Sequence, residues 1–165
     1  MTHTISLLVE NHQGVLSRIS GLFSGRGYNL ESFTSGPTTD PTISRITLVC
    51  NGDVHIIDQI KKQLNKLIDI ISVSELTELP RVDRELALIK VAANPGARGE
   101  LIQIADVFSA KVMDVGSESM IIEVTGSPEK INDLIALLKE FSIIELARSG
   151  LVSIERGKKQ NSTPY

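Results

Sequence analysis

The feature that most constrains this chain is that its 165 residues carry one pattern twice. Thr47-Leu48-Val49-Cys50-Asn51-Gly52-Asp53 aligns without gaps on Ile121-Ile122-Glu123-Val124-Thr125-Gly126-Ser127, 74 residues further on. Each segment is a strand-like stretch, then a small polar residue and Gly, then a residue suited to capping a helix. Ile57, Ile60, Leu64 and Leu67 follow the first segment, and Ile131, Leu134, Leu138 and Phe141 follow the second. Both sets have the three-to-four spacing of an amphipathic helix. Asp53 and Ser127 suit the N-cap, and Pro128 takes the favoured first helical position. Self-similarity on this scale predicts two copies of one supersecondary unit.

The rest of each half fits the same plan. Residues 3–10 alternate Ile5, Leu7 and Val9 with Thr4, Ser6, Leu8 and Glu10, the period of a half-buried strand. After Asn11-His12-Gln13-Gly14, the face Val15, Leu16, Ile19, Leu22 and Phe23 marks a helix that ends at Gly25-Arg26-Gly27. Strands are expected at 28–36, 44–51 and 70–76. In the second half, residues 86–93 form the strand and Asn94-Pro95-Gly96 the loop. Leu101, Ile104, Ala105 and Phe108 mark the helix. Strands are expected at 111–116, 119–125 and 143–155, the last broken at Ser149-Gly150. Each half reads strand-helix-strand-strand-helix-strand, so the expected class is α+β, two tandem ferredoxin-like βαββαβ units. The expected division is 1–78 and 82–157 around Leu79-Pro80-Arg81, with a polar, frayed tail at 158–165. A unit of about 80 residues has a small core. Its sheet has one face without helices, where Leu8 and Val49 fall, so the other half or another chain is expected to cover it.

Composition narrows the function. A net charge of −3, a pI near 5.6, 4% aromatic residues and no Trp argue against nucleic-acid binding. No stretch approaches the 18 or so apolar residues of a membrane span. The start lacks a signal-peptide pattern, and the single Cys50 suits a reducing compartment, so a cytoplasmic protein is expected. Catalytic constellations are scarce. The histidines are His3, His12 and His55; none has metal-ligand spacing, and no phosphate-binding loop is present. Metal and catalytic residues are expected to be none, and Cys50 reads as a small buried hydrophobe.

The informative segment is Asn11-His12-Gln13-Gly14-Val15-Leu16. A strand-to-helix loop exposes backbone N–H groups at the positive end of a helix dipole, where a carboxylate binds well. Gly14 lets the backbone take positive φ or approach a ligand closely. Asn11 offers both an acceptor and a donor. Val15 and Leu16 add an apolar wall. A small ligand with a charged head and an aliphatic tail, such as an amino acid, suits this set. On the residues alone, a tight turn with a helix cap is the plainer reading.

Asn11-x-x-Gly14-Val15-Leu16 after a first strand resembles the ACT domain, a family of amino-acid-sensing modules. The likeness continues through residues 22–32, Gly36-Pro37-Thr38, Asp40-Pro41, Ser44-Arg45 and 59–69. This fuller pattern resembles the small, regulatory subunits of acetolactate synthase. Residues 84–91, 108–112, 121–126 and Arg148-Ser149-Gly150 resemble that family's carboxy-terminal domain. The resemblance implies a non-catalytic partner of a large catalytic subunit that itself uses thiamine diphosphate, magnesium and FAD in branched-chain amino-acid synthesis. It further implies no cofactor in this chain, activation of the large subunit, and feedback inhibition by valine or another branched-chain amino acid. ACT domains of this family resemble side-by-side homodimers joined through the second strand. The expected effector site therefore comprises Asn11, His12, Gly14, Val15 and Leu16 of one chain with Asn29 and Leu30 of its neighbour. The loop reads His12-Gln13 where relatives often carry an acidic residue and a proline, so a looser loop is expected. Arg98, at the start of the second half's first helix, reads either as an anion ligand or as a solvated charge. The alternatives are a free-standing amino-acid sensor acting on another enzyme or regulator, and a small phosphatase on the same scaffold.

Overall fold

The structure, a computed structural model, describes residues 1–157; the tail expected at 158–165 lies outside them. The described residues form two compact units, Met1–Val82 with residues 151–157, and Asp83–Gly150.

The first unit comprises β1 (Thr2–Glu10), α1 (Val15–Arg26), β2 (Asn29–Pro37), β3 (Ile43–Asn51), α2 (Val54–Leu64) and β4 (Ile70–Glu75). Its antiparallel sheet has the order β2-β3-β1-β4, which leaves β2 and β4 as edges. Ile5, Leu7 and Val9 of β1 and Ile46, Leu48 and Cys50 of β3 meet Val15, Ile19 and Phe23 of α1 and Ile57, Ile60 and Leu64 of α2 in one buried cluster. Each large side chain sealed there contributes roughly 1.5–3 kcal/mol.

The second unit repeats the plan. β5 (Arg81–Ala92), α3 (Arg98–Val107), β6 (Lys111–Val115), β7 (Ser119–Gly126), α4 (Pro128–Leu138) and β8 (Ile143–Arg148) give the sheet order β6-β7-β5-β8. A 3-10 turn, Lys139–Phe141, extends α4. The 74-residue offset is visible in the registers. Leu48 stands opposite Ile5 and Phe33, and Ile122 stands opposite Ile89 and Val112.

The capping residues act as their types dictate. Asp53 Oδ1 accepts from Ile56 N (2.9 Å), and Ser127 Oγ accepts from Lys130 N (3.4 Å). The glycine before each cap lies close under a side chain of the helix it introduces. A Cβ on Gly52 would lie 2.8 Å from Ile56 Cγ2, and one on Gly126 would lie 2.6 Å from Lys130 Cδ. α1 ends at Gly27 in the left-handed region (φ 68), with Tyr28 N donating to Phe23 O (3.0 Å), a Schellman-type stop.

Two features depart from the sequence reading. β5 begins at Arg81, directly after Pro80 and five residues ahead of the expected start at 86. Residues 81–85 have no apolar alternation, and the last strand, β9 (Val152–Glu155), pairs with β5; Arg156 N donates to Pro80 O (2.8 Å). The final strand also breaks at Ser149-Gly150 as expected, with Gly150 at φ 81, but the chain beyond the break groups with the first unit and not the second. Leu151 and Ser153 are buried, and Leu151 N donates to Ser32 Oγ (3.1 Å). Ser32 shares its sheet face, the one opposite the helices, with Val49 and Thr4. Thr4, Ser6 and Leu8 on that face are buried, so the face expected to need a cover receives one from the end of the described chain.

Candidate functional site

β1 ends at Glu10 and α1 begins at Val15, so four residues turn the chain between sheet and helix. Gly14 occupies the N-cap position with φ 90 and ψ −14, in the left-handed region, and no side chain caps the helix. The first intrahelical bond runs from Arg18 N to Gly14 O (3.0 Å), so the amides of Val15, Leu16 and Ser17 precede the helical ladder. The loop is tied down, contrary to the looser loop expected from His12-Gln13. Asn11 N donates to Thr42 O (2.7 Å), Asn11 Nδ2 donates to Pro41 O (2.9 Å), and His12 N donates to Glu10 O (3.2 Å).

His12 is the centre of a charged network. Its Nε2 lies 3.0 Å from Asp69 Oδ1 and 3.2 Å from Glu10 Oε2, and its Nδ1 lies 3.0 Å from Gln13 O. Asp69 is 4% exposed and accepts two bonds from Arg18, from Nε at 2.6 Å and Nη2 at 3.1 Å. The Arg18 guanidinium in turn lies over Gly14; a Cβ there would sit 3.5 Å from Nη1. Arg18 holds the Asp69 carboxyl below its ordinary range, with His12 adding to the effect. The Gln13 carbonyl, then Asp69 and Glu10, raise the His12 pKa above 6.5 against the cost of partial burial.

Of the expected site residues, Asn11, His12, Gly14, Val15 and Leu16 lie together at the β1–α1 junction beside this network. Val15 directs its side chain into the core (2% exposed), which leaves Leu16 (49% exposed) as the apolar wall. Asn29 and Leu30 are at the other end of the sheet. Asn29 is opposite Asn51, which pairs with Thr2 at the start of β1, whereas Pro37, at the far end of β2, is opposite Ser44 beside the loop. Within one chain these two residues do not join the loop.

Arg18 and Asp69 are the participants that sequence reasoning missed. Arg18 is one helical turn beyond Gly14, a spacing that brings it over the loop. Asp69 carries no such signal, because only closure of the sheet brings the turn before β4 to β1; Glu10 N donates to Asp69 O (2.9 Å). Ligand atoms of Glu10, His12 and Asp69 lie within 4.8 Å of one another, a spacing that can hold a cation. Here Arg18 takes both oxygens of Asp69, so the group is a salt-bridged network. Cys50 is fully buried and its thiol pKa is pushed up to about 11, chiefly by burial, which suits a packing residue. Arg98 is committed to structure: Nη2 donates to Gly116 O (2.7 Å) and Ser117 O (2.8 Å), closing the β6–β7 turn.

Comparisons with known proteins bear on both units. Residues 5–72 match the family described as AHAS small subunit-like ACT domain, and residues 84–157 match the family described as small subunit of acetolactate synthase. The acetolactate synthase small subunit of Mycolicibacterium smegmatis is 48% identical over 158 residues, covering 96% of this chain and 93% of the relative. That of Haemophilus influenzae is 43% identical, covering 96% and 98%. The crystal structure of the acetolactate synthase small subunit from Thermotoga maritima superposes with a TM-score of 0.87 at 38% identity, over 96% of this chain and 99% of that one.

Proposed function

The chain belongs to the family of acetolactate synthase small subunits, and from that premise we propose that it senses a branched-chain amino acid, valine first among them, on behalf of a catalytic large subunit in the cytoplasm. The observation that carries the reading is the uncapped start of α1 behind Gly14. Amides at Gly14 to Leu16 meet a carboxylate with the helix dipole behind them. Leu16 offers the aliphatic tail a wall.

The rest of the pocket comes from a second copy. β2 is a sheet edge, and an edge strand readily pairs with another. A two-fold axis through antiparallel β2 pairs sets the partner's Asn29 beside Pro37, the end of β2 that lies next to the Asn11–Gly14 loop. Leu30 is on the helix side of the sheet, opposite Cys50, so a partner's Leu30 faces the layer that holds α1. This geometry supports a site made of Asn11, His12, Gly14, Val15 and Leu16 from one protomer and Asn29 and Leu30 from the other, two sites per dimer.

Burial of a valine side chain contributes roughly 1.5–3 kcal/mol, whereas a near-complete two-state shift needs about 5.5 kcal/mol of differential binding. Two equivalent sites acting on one interface supply more than one can, and inhibition is graded. The large subunit brings the reaction chemistry, with thiamine diphosphate, magnesium and FAD on its side; this chain contributes activation and feedback control. Calorimetric titration of the purified chain with valine, leucine and isoleucine tests the proposal, together with co-purification of the catalytic chain. Binding of valine at one equivalent per protomer is the expected result. Absence of heat with all three amino acids refutes it.

A further inference from the structure

We infer that His12 is a proton-linked positioning residue of the effector loop, so that the chain binds its amino-acid effector more tightly when the His12 imidazole is protonated. The inference rests on the effector reading above and adds a regulation of that same site.

Both ring nitrogens of His12 face oxygen acceptors: Nδ1 is 3.0 Å from Gln13 O, and Nε2 is 3.0 Å from Asp69 Oδ1 and 3.2 Å from Glu10 Oε2. A backbone carbonyl and ionised carboxylates only accept. A neutral imidazole has one N–H, so one of its nitrogens must then turn a lone pair toward an oxygen. The doubly protonated ring satisfies every contact. The charged groups facing the ring are Glu10 on β1 and Asp69 in the turn before β4, with Arg18 of α1 behind Asp69.

The bond to Gln13 O connects the ring to the ligand. The Gln13–Gly14 peptide is trans, so its C=O and N–H point in opposite directions. Holding Gln13 O on the imidazolium aims Gly14 N–H away from it, into the set of amides that precede the helix. Loss of the proton frees that peptide to rotate about the left-handed Gly14, whose missing Cβ allows the motion. It also removes a positive charge from the loop that receives the anionic head. Protonation raises affinity on both counts, and by reciprocity the bound amino acid raises the pKa of His12. The retained pKa rise of the free chain points the same way, since the Gln13 carbonyl leads its causes.

The test is calorimetric titration of the full chain with L-valine at pH 6.0, 7.0, 8.0 and 8.5, on the wild type and on His12→Gln, with the His12 ring followed by NMR in the presence and absence of valine. Expected are a wild-type Kd that rises about fivefold or more across the range, a flat profile for His12→Gln near the wild-type high-pH value, and an upward shift of the His12 titration on adding valine. Identical pH profiles for wild type and His12→Gln, or a His12 titration that valine leaves in place, overturn the inference while the site stands. Absence of valine binding at every pH overturns the effector reading and this inference with it.

Discussion

Replacing Gly14 with Asp sets charge against conformation at the point where the ligand is proposed to dock. Gly14 has φ 90 and ψ −14, and a residue with a Cβ in the left-handed region is strained by about 1–2 kcal/mol. The new Cβ meets no clash, since its nearest neighbours are Arg18 Nη1 at 3.5 Å and the guanidinium carbon at 3.7 Å. The Asp carboxylate therefore sits beside Arg18 and the free amides of α1, in place of the effector's carboxylate. Two like charges about 5 Å apart near a protein surface repel by about 3 kcal/mol at an effective dielectric constant of about 20, which weakens binding roughly 100-fold. The strain lowers the melting temperature by about 2–8 °C. Gly14→Ala carries the strain without the charge and separates the two effects. Titration calorimetry with valine and a pull-down of the catalytic subunit are the assays. Gly14→Ala loses stability and keeps most of its affinity, Gly14→Asp loses valine binding, and both retain the catalytic partner. Wild-type valine affinity in Gly14→Asp refutes the placement of the carboxylate.

Other perturbations probe the scaffold. Gly52 and Gly126 occupy the same place in the repeat but meet different neighbours, so Gly52→Ala, pressed against the stiff β-branched Ile56, costs about 1–3 kcal/mol. Gly126→Ala meets the flexible stem of Lys130, which moves aside, and costs under about 1 kcal/mol; equal losses in urea unfolding contradict this reasoning. Acid stability depends on Glu75, whose pKa is lowered first by Lys61 and then by His3. Lys61 Nζ and Glu75 Oε2 are 2.6 Å apart. A carboxyl with a depressed folded pKa contributes stability above its unfolded value of about 4.3 and loses it as pH falls through the folded value. Glu75→Gln is therefore less stable than wild type at pH 7, and the difference closes as the pH falls below 4; a difference that stays constant with pH counts against the ion pair. His12 has the opposite sign. Its raised pKa contributes stability below about 6.5 that disappears as pH rises through the folded value, and His12→Gln removes that slope from thermal melts between pH 6 and 8.

Most strands and helices were legible because the core is aliphatic and alternates cleanly. Ile5, Leu7 and Val9 announce β1, and Ile131, Leu134 and Leu138 announce α4, and all six are buried. The repeat supplied topology, since two similarly patterned strand-helix junctions 74 residues apart imply one plan used twice. What sequence could not supply depends on closure in three dimensions. Residues 81–85 show no period, and they become strand because β9 returns to pair with β5. Leu151 sits on the sheet of the first unit, a placement set by the reversal at Gly150. At the site, Gly14 was readable because its neighbours demand a turn into a helix. Arg18 and Asp69 were not, because an arginine on an exposed helix face and an acid in a turn are ordinary until folding brings them to 2.6 Å. His12 is one of the expected site residues, but no spacing in the sequence signals its three oxygen neighbours, Gln13 O, Glu10 Oε2 and Asp69 Oδ1.

The most direct test is a crystal structure of the chain grown with valine. The account predicts two copies joined through β2, with the valine carboxylate on the Gly14 and Val15 amides and the side chain between Leu16 and the partner subunit's Leu30. Valine bound at any other place, or a dimer that leaves β2 unpaired while valine is bound, contradicts it.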